Sequence, residues 1–192
     1  RHAARKATPL MSLLDARAAK TAIDWAGYVP PRPKFIGRRT FKNFDLAELA
    51  NFIDWTPFFQ TWSLFGQFPA ILDDKVVGEQ ARSVHADAQA MLKRMIDGRW
   101  LTANGVVAFY PANTINDDDI EIYTDETREK VLFTWRGLRQ QGMKREGVDN
   151  KCLADFIAPK ASGLMDYIGL FAVTAGLGVE KKEQEFERAN DD

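Results

Sequence analysis

Apolar positions fall at helical spacing through most of the first half of this chain and in alternating or clustered runs through the second. Residues 10–26 place Leu10, Leu13, Leu14 and Ala18 at helical intervals, with Ser12 as a cap. "GYVPPRPKF" (27–35) then sets three prolines within four positions, so the backbone there is expected to be extended and irregular. "FIGRRTF" (35–41) reads as a first strand. In "NFDLAELANFI" (43–53), Leu46, Leu49, Ala50 and Ile53 share one face of a short helix capped by Asn43 or Asp45. Thr56 and Pro57 read as the cap and first position of a helix carrying Phe58, Phe59, Trp62 and Phe65 and ending at Gly66.

Over 75–98 the periodicity predicts the longest helix, with Val77, Ala81, Val84, Ala88, Met91, Leu92 and Met95 in one stripe and Gly98 as its stop. The second half changes period. "GVVAFYPANT" (105–114), "IEIYTDE" (120–126) and "KVLFTW" (130–135) have strand character, the first two joined by a turn at "NDDD" (116–119). "CLADFIAP" (152–159) and "DYIGLFAVTAG" (166–176) supply one or two more strands. Adjacent strands on short turns, with most helices grouped before them, predict an α+β fold: a twisted antiparallel sheet flanked by helices. Residues 179–192 read as a helix that stops at two aspartates, negative charge at its negative pole with no glycine cap. The expectation is a longer protein cut at this point.

At 192 residues the chain is long enough for one well-packed domain. A net charge of −1 gives no sign of a nucleic-acid partner. The first twenty residues hold five Lys/Arg against one Asp, so residues 1–34 read as a basic arm or linker, with the compact domain starting at residue 35. One cysteine excludes an internal disulfide and points to a reducing, cytoplasmic setting. No run is long and apolar enough for a membrane span, and the basic start lacks the apolar core of a signal peptide.

The chemistry-bearing positions are few. "FIDWTPFFQTWSLFGQFP" (52–69) packs seven aromatic rings around Asp54. One reading makes Asp54 a capping carboxylate beside core rings. The other makes it a carboxylate that receives an ammonium or sulfonium ligand against ring faces. Asp117, Asp118, Asp119 and Glu121 resemble half a calcium site but lack its spacing, and read as a solvated turn. His85 has no ligand partner at metal spacing and reads as an ordinary helix histidine. Cys152 has no companion and reads as a core thiol. A stand-alone hydrolase would use Asp54 with a second carboxylate such as Asp155, and no spacing supports that pairing.

The order of four blocks is more specific: "FIDWTPFFQTWSLFGQFPAILDD", "VVAFYPANTINDDDIEIYTDE", "CLADFIAPKASGLMDYIGLFAVTAG" and "FERANDD". Together, from about Tyr28 to the last residue, they resemble the activation domain of cobalamin-dependent methionine synthase. The resemblance implies a C-shaped α+β domain, incomplete here, in an enzyme that moves a methyl group from methyltetrahydrofolate to homocysteine. It also implies that this part binds S-adenosylmethionine and supports reductive remethylation of cob(II)alamin. By the same resemblance Asp54 contacts S-adenosylmethionine. The arm follows a cobalamin-binding module, flavodoxin or a similar flavoprotein reductase supplies the electron, and zinc belongs to a distant domain.

The family's remaining ligand contacts lie on a helix after "NDD" and in an R-x-x-x-G-Y-P motif, neither of which this chain contains. It is therefore expected to carry one wall of the pocket and to be inactive alone, binding the ligand weakly or not at all. The alternative reading is a non-catalytic docking scaffold for a flavodoxin-like reductase or a neighbouring domain, with the ring-rich segment serving only as core.

Overall fold

A computed structural model describes residues 9–189. The basic residues 1–8 and the terminal Asn-Asp-Asp lie outside this range. The element order is α1 (Leu13–Ala18), β1 (Gly37–Phe41), α2 (Leu46–Ala50), α3 (Trp55–Thr61), α4 (Gly78–Asp97), β2 (Thr102–Ile115), β3 (Asp119–Tyr123), β4 (Val131–Arg136), β5 (Asp166–Leu177) and α5 (Val179–Ala189). The strands form one five-stranded antiparallel sheet in the order β1-β2-β3-β4, with β5 also paired to β2. This is the α+β class that the periodicity predicts. The chain divides into two compact units. The first runs up to Arg39 and resumes over Val107–Phe171; the second comprises Thr40–Val106 and continues from Ala172.

In the first unit, β2 and β3 pair with Ala112 opposite Ile122 and Thr114 opposite Ile120. Strand side chains alternate between faces, so this register puts Ala112, Ile120 and Ile122 on one side. There they bury with Cys152, Ala154 and Ile168. The turn uses Asn116 at φ 50° and Asp117 at φ 65°, residue types that tolerate the left-handed region. Between β3 and β4 the register slips after Ile122, where Tyr123 pairs with Val131 and Leu132 is left over.

"CLADFIAP" is not a strand. Residues Leu153–Phe156 form a 3₁₀ turn in which Asp155 Oδ2 accepts from the Cys152 amide at 2.9 Å. A short polar residue closing on the backbone three residues earlier competes with strand pairing, and the apolar pattern alone did not reveal it. The early helix also stops at Ala18, short of its periodicity, and the Ala19 carbonyl accepts from the Asn150 amide instead of continuing the coil.

Arg139 organises this unit. Its side chain is fully buried, with Nε donating to Asp118 Oδ1 at 2.6 Å and Nη2 to Asp155 Oδ1 at 2.7 Å. Nη1 reaches the Asn150 carbonyl at 2.7 Å and Asp155 Oδ2 at 3.0 Å, and Nη2 the Asp117 carbonyl at 3.2 Å. The hydrogen bonds to Asp155, with those to Asp118, raise the guanidinium's proton affinity against the opposing effect of burial. Asp118 also accepts from Arg17 Nε at 2.6 Å. The Asn150 amide donates to the Ala19 carbonyl at 2.8 Å, and Lys20 pairs with Asp117 at 2.5 Å. The stretch read as an arm is thus fastened along much of its length. Gly137 is required beside this network, since a Cβ there would meet the Asp118 carbonyl oxygen at 2.1 Å. Further along, Arg32 forks onto Glu126 at 2.6 and 2.7 Å while the Tyr167 hydroxyl donates to the same carboxylate at 2.9 Å.

In the second unit, Phe59, Leu64, Ile71 and Ala81 form the buried centre, with Trp55, Phe58, Phe68, Leu72, Val77 and Val84 packed against it. α4 starts at Gly78, three residues later than the periodicity suggests, because Asp74 Oδ1 accepts from the Val76 and Val77 amides and holds the preceding turn. α5 is anchored by Phe186 against Trp100, with ring centroids 5.6 Å apart.

Two substitutions contrast the buried ion pair of the first unit with an exposed one on α4 in the second. Asp155→Ala leaves Arg139 buried with half its fork unpaired, and should lower unfolding free energy by about 3 kcal/mol or more. Lys93→Ala, which breaks an exposed pair with Asp97, should change it by less than about 0.5 kcal/mol. Urea titration of both variants distinguishes the two magnitudes. Hydrogen bonds from Arg32 and then Tyr167 hold Glu126 down to about 2, from an ordinary 4.5. A depressed folded-state value stabilises the fold above pH 4.5, and that stabilisation is lost as pH falls from there towards 2. Glu126→Gln should therefore flatten the acid limb of stability against pH in that window, as read from urea midpoints.

Candidate functional site

Asp54 ends the turn after α2 and caps α3. Its backbone is extended, at φ −79° and ψ 106°, and its carboxylate accepts from the Thr56 amide at 3.0 Å. The helix therefore begins one residue before Thr56. Pro57 sits in the first turn, where a missing N–H costs nothing because those amides have no intrahelical partner. Thr56 serves elsewhere, its hydroxyl accepting from the Phe68 amide at 3.3 Å. The two readings of Asp54 are compatible. One oxygen caps the helix, and the carboxylate is exposed to solvent.

The seven rings of residues 52–69 divide into three roles. Phe59 is buried, stacked on Phe68 with centroids 6.1 Å apart. Trp55 and Phe58 are half-buried and meet edge to face at 5.4 Å. Phe52, Trp62 and Phe65 are 79%, 58% and 77% exposed. A hollow of about 520 Å³ opens beside Asp54, lined by Ile53, Trp55, Phe58 and Trp62 from the α3 side and by Val84, Asp87, Ala88, Met91, Leu92 and Met95 from α4. Its lining includes both chain neighbours of Asp54 but not Asp54 itself. Asp54 thus lies between two residues that line a ring-lined concavity, a setting suited to a ligand that joins positive charge to apolar bulk.

The α4 stripe does not behave as one core face. Ala81 near its start is buried, whereas Met91 is 40% exposed and the Val84–Met95 stretch forms the hollow's second wall. Periodicity reported one apolar face and could not show that its C-terminal half lacks a cover. His85 lies inside the packing, with ring centroids at 4.8 Å from Trp55, 5.3 Å from Phe68 and 6.0 Å from Phe59.

The other candidates are structural in their surroundings. Asp117, Asp118, Asp119 and Glu121 are paired with Lys20, Arg17 and Arg139, Arg136, and Lys160 respectively. Pairing with Lys20 holds Asp117 below the usual carboxylate range, and pairing with Lys160 does the same for Glu121. Cys152 is a buried thiol that donates to the Asp118 carbonyl, with Sγ 3.7 Å from the oxygen. Asp155 is sealed in the first unit against Arg139 and is not available to the hydrolase reading. Among the described residues no group of three or more His, Cys, Asp or Glu side chains stands ready to hold a metal ion, and no helix is long and apolar enough to cross a membrane.

Comparison with known proteins places this geometry in a family. Residues 45–192 match the model of the vitamin B12 dependent methionine synthase activation domain. Among solved structures, the chain is similar to one described as the crystal structure of the MetH reactivation domain bound to AdoHcy, with 47% sequence identity and a TM-score of 0.81. That similarity covers 96% of this chain and 56% of the solved one, so the present chain spans little more than half of its relative. By the match of the family model over most of its length and the similarity in fold to that solved domain, the chain belongs to the activation-domain family of vitamin B12 dependent methionine synthases.

Proposed function

We propose that this chain presents S-adenosylmethionine for the reductive reactivation of a cobalamin-dependent methionine synthase, with Asp54 as a ligand-binding carboxylate. The observation that carries the reading is the exposed Asp54 carboxylate, held at the start of α3 beside a ring-lined hollow. It lies in a chain 47% identical to a reactivation domain solved with AdoHcy. S-adenosylmethionine supplies a methyl group carried on a sulfonium, and it also bears an ammonium. The donor set fits that charge pattern: the helix amide fixes one carboxylate oxygen, so little side-chain freedom is lost when the other meets a cation. Trp55 and Trp62 offer π faces nearby.

Within this reading, residues 1–34 connect a cobalamin-binding module to the activation domain, of which residues 35–192 are the N-terminal and central part. Cobalamin is held mainly by that neighbouring domain, and a flavodoxin-like reductase delivers the electron in the cytoplasm. The methyl transfer from methyltetrahydrofolate to homocysteine belongs to the whole enzyme. Most polar groups of the ligand need partners beyond the single carboxylate proposed here, so isothermal titration of the 192-residue chain should give an affinity weaker than low micromolar.

Capping and ligand binding at Asp54 separate by substitution. Asp54→Ala removes the cap and should cost about 1 kcal/mol of stability, while Asp54→Asn keeps it and should stay within about 0.5 kcal/mol. In the full-length enzyme, Asp54→Asn should slow S-adenosylmethionine-dependent reactivation roughly tenfold or more and leave primary turnover unchanged. Equal loss of both activities would refute the assignment, and titration showing unchanged S-adenosylmethionine affinity would return Asp54 to a purely structural role.

A further inference from the structure

Asp54 stands where the chain has little of its own to hold it. It follows Phe52 and Ile53, both exposed, whose amides donate back to the Leu49 and Ala50 carbonyls in the turn that closes α2. It then caps α3, a helix of seven residues. A helix that short is marginal by itself and takes its place from tertiary contacts. Phe59, buried in the core of this unit, supplies such a contact from the second turn.

Thr56 supplies another from the first turn. Because Asp54 takes the capping position, the Thr56 hydroxyl is left for a contact beyond the helix. It accepts from the part-buried Phe68 amide at 3.3 Å. The Thr56 amide meanwhile donates to Asp54 Oδ1 at 3.0 Å. One residue therefore joins the carboxylate to the loop that follows α3.

That loop is a firm support. The Leu64 amide donates to the Phe59 carbonyl and the Ile71 amide to the Gln67 carbonyl, each at 2.9 Å. Leu64 and Ile71, on either side of Phe68, are buried. The Phe68 ring itself stacks on Phe59 and lies 5.3 Å from His85. Without the Thr56 hydroxyl, the Phe68 amide loses its acceptor and the first turn of α3 loses its link to this support. The cap bond itself would persist, but the turn that carries it would be free to shift. Positioned polar groups are sensitive to such shifts, since a misplacement of about 1 Å can cost on the order of a hundredfold in rate.

We infer that Thr56 is a positioning residue for the Asp54 carboxylate, acting through its hydroxyl bond to the Phe68 amide and not by touching the ligand. The inference rests on Asp54 binding S-adenosylmethionine.

The test is a double-mutant cycle in the full-length enzyme, titrated with S-adenosylmethionine by calorimetry. Thr56→Val keeps the branched shape and removes the hydroxyl, and should weaken affinity about fivefold or more. The loss should appear in the S-adenosylmethionine concentration that half-saturates reactivation more than in the saturated rate. Thr56→Ser retains the hydroxyl and should stay within about twofold of the unsubstituted enzyme. In an Asp54→Asn background, Thr56→Val should add less than about twofold, because the charge it positions is already gone. Circular dichroism checks folding, and Thr56→Ala, also without the hydroxyl, replaces the valine variant if that one does not fold.

Unchanged affinity in Thr56→Val, with weaker binding in Asp54→Asn, overturns the positioning role and leaves Asp54 as the ligand carboxylate. An equal loss from Thr56→Val in both backgrounds overturns it as well, because Thr56 would then act independently of Asp54. So does a loss in Thr56→Ser that matches Thr56→Val, which would assign the effect to side-chain bulk. If Asp54→Asn binds as tightly as the unsubstituted enzyme, the ligand reading of Asp54 falls, and the role of Thr56 falls with it.

Discussion

One buried guanidinium sets the terms for the first unit. Arg139 has no solvent around its side chain, so every N–H it leaves unpaired would carry a desolvation cost. It meets that demand by drawing together segments that the chain keeps far apart: the β2–β3 turn through Asp117 and Asp118, the 3₁₀ turn through Asp155, and the loop at Asn150. Because Asp118 also accepts from Arg17, the early helix joins the same network. The acidic turn therefore has a use other than metal binding. Its carboxylates neutralise a buried cation and fasten the chain that leads into the domain.

The second unit rests on apolar packing instead. Phe59, Leu64, Ile71 and Ala81 close a small core, and α3 and α4 lie across it with more ring surface than the core consumes. The surplus faces outward as Phe52, Trp62 and Phe65, beside a carboxylate already oriented by a helix cap. Large apolar side chains left open together mark a binding surface far more often than singly exposed ones do. The exposed helix cap directs attention to Asp54.

Much of this was legible in the residues. Alternation located β2, β3 and β4, and the turn at Asn116–Asp118 followed from residue types that accept positive φ. The 3.6-residue period finds α4 to within three residues at its start, and the block order identifies the family. What misled was local competition. Asp155 bending back to the Cys152 amide turned an apparent strand into a 3₁₀ turn, and the first helix stops where the Ala19 carbonyl accepts from the Asn150 amide. In both places a contact outside the periodic pattern outweighed it.

From the sequence alone come the element types, the presence of a carboxylate within a ring cluster, and membership in a family through motif order. These follow from short-range chemistry: periodicity, capping residues and turn formers act within a few positions. Tertiary structure alone decided which rings are buried and which stay open, that Asp118 and Asp155 share Arg139, and that the lower half of the α4 stripe lines a groove. Burial depends on what other segments bring to a surface, and apolar side chains read the same in sequence whether a neighbour covers them or water does.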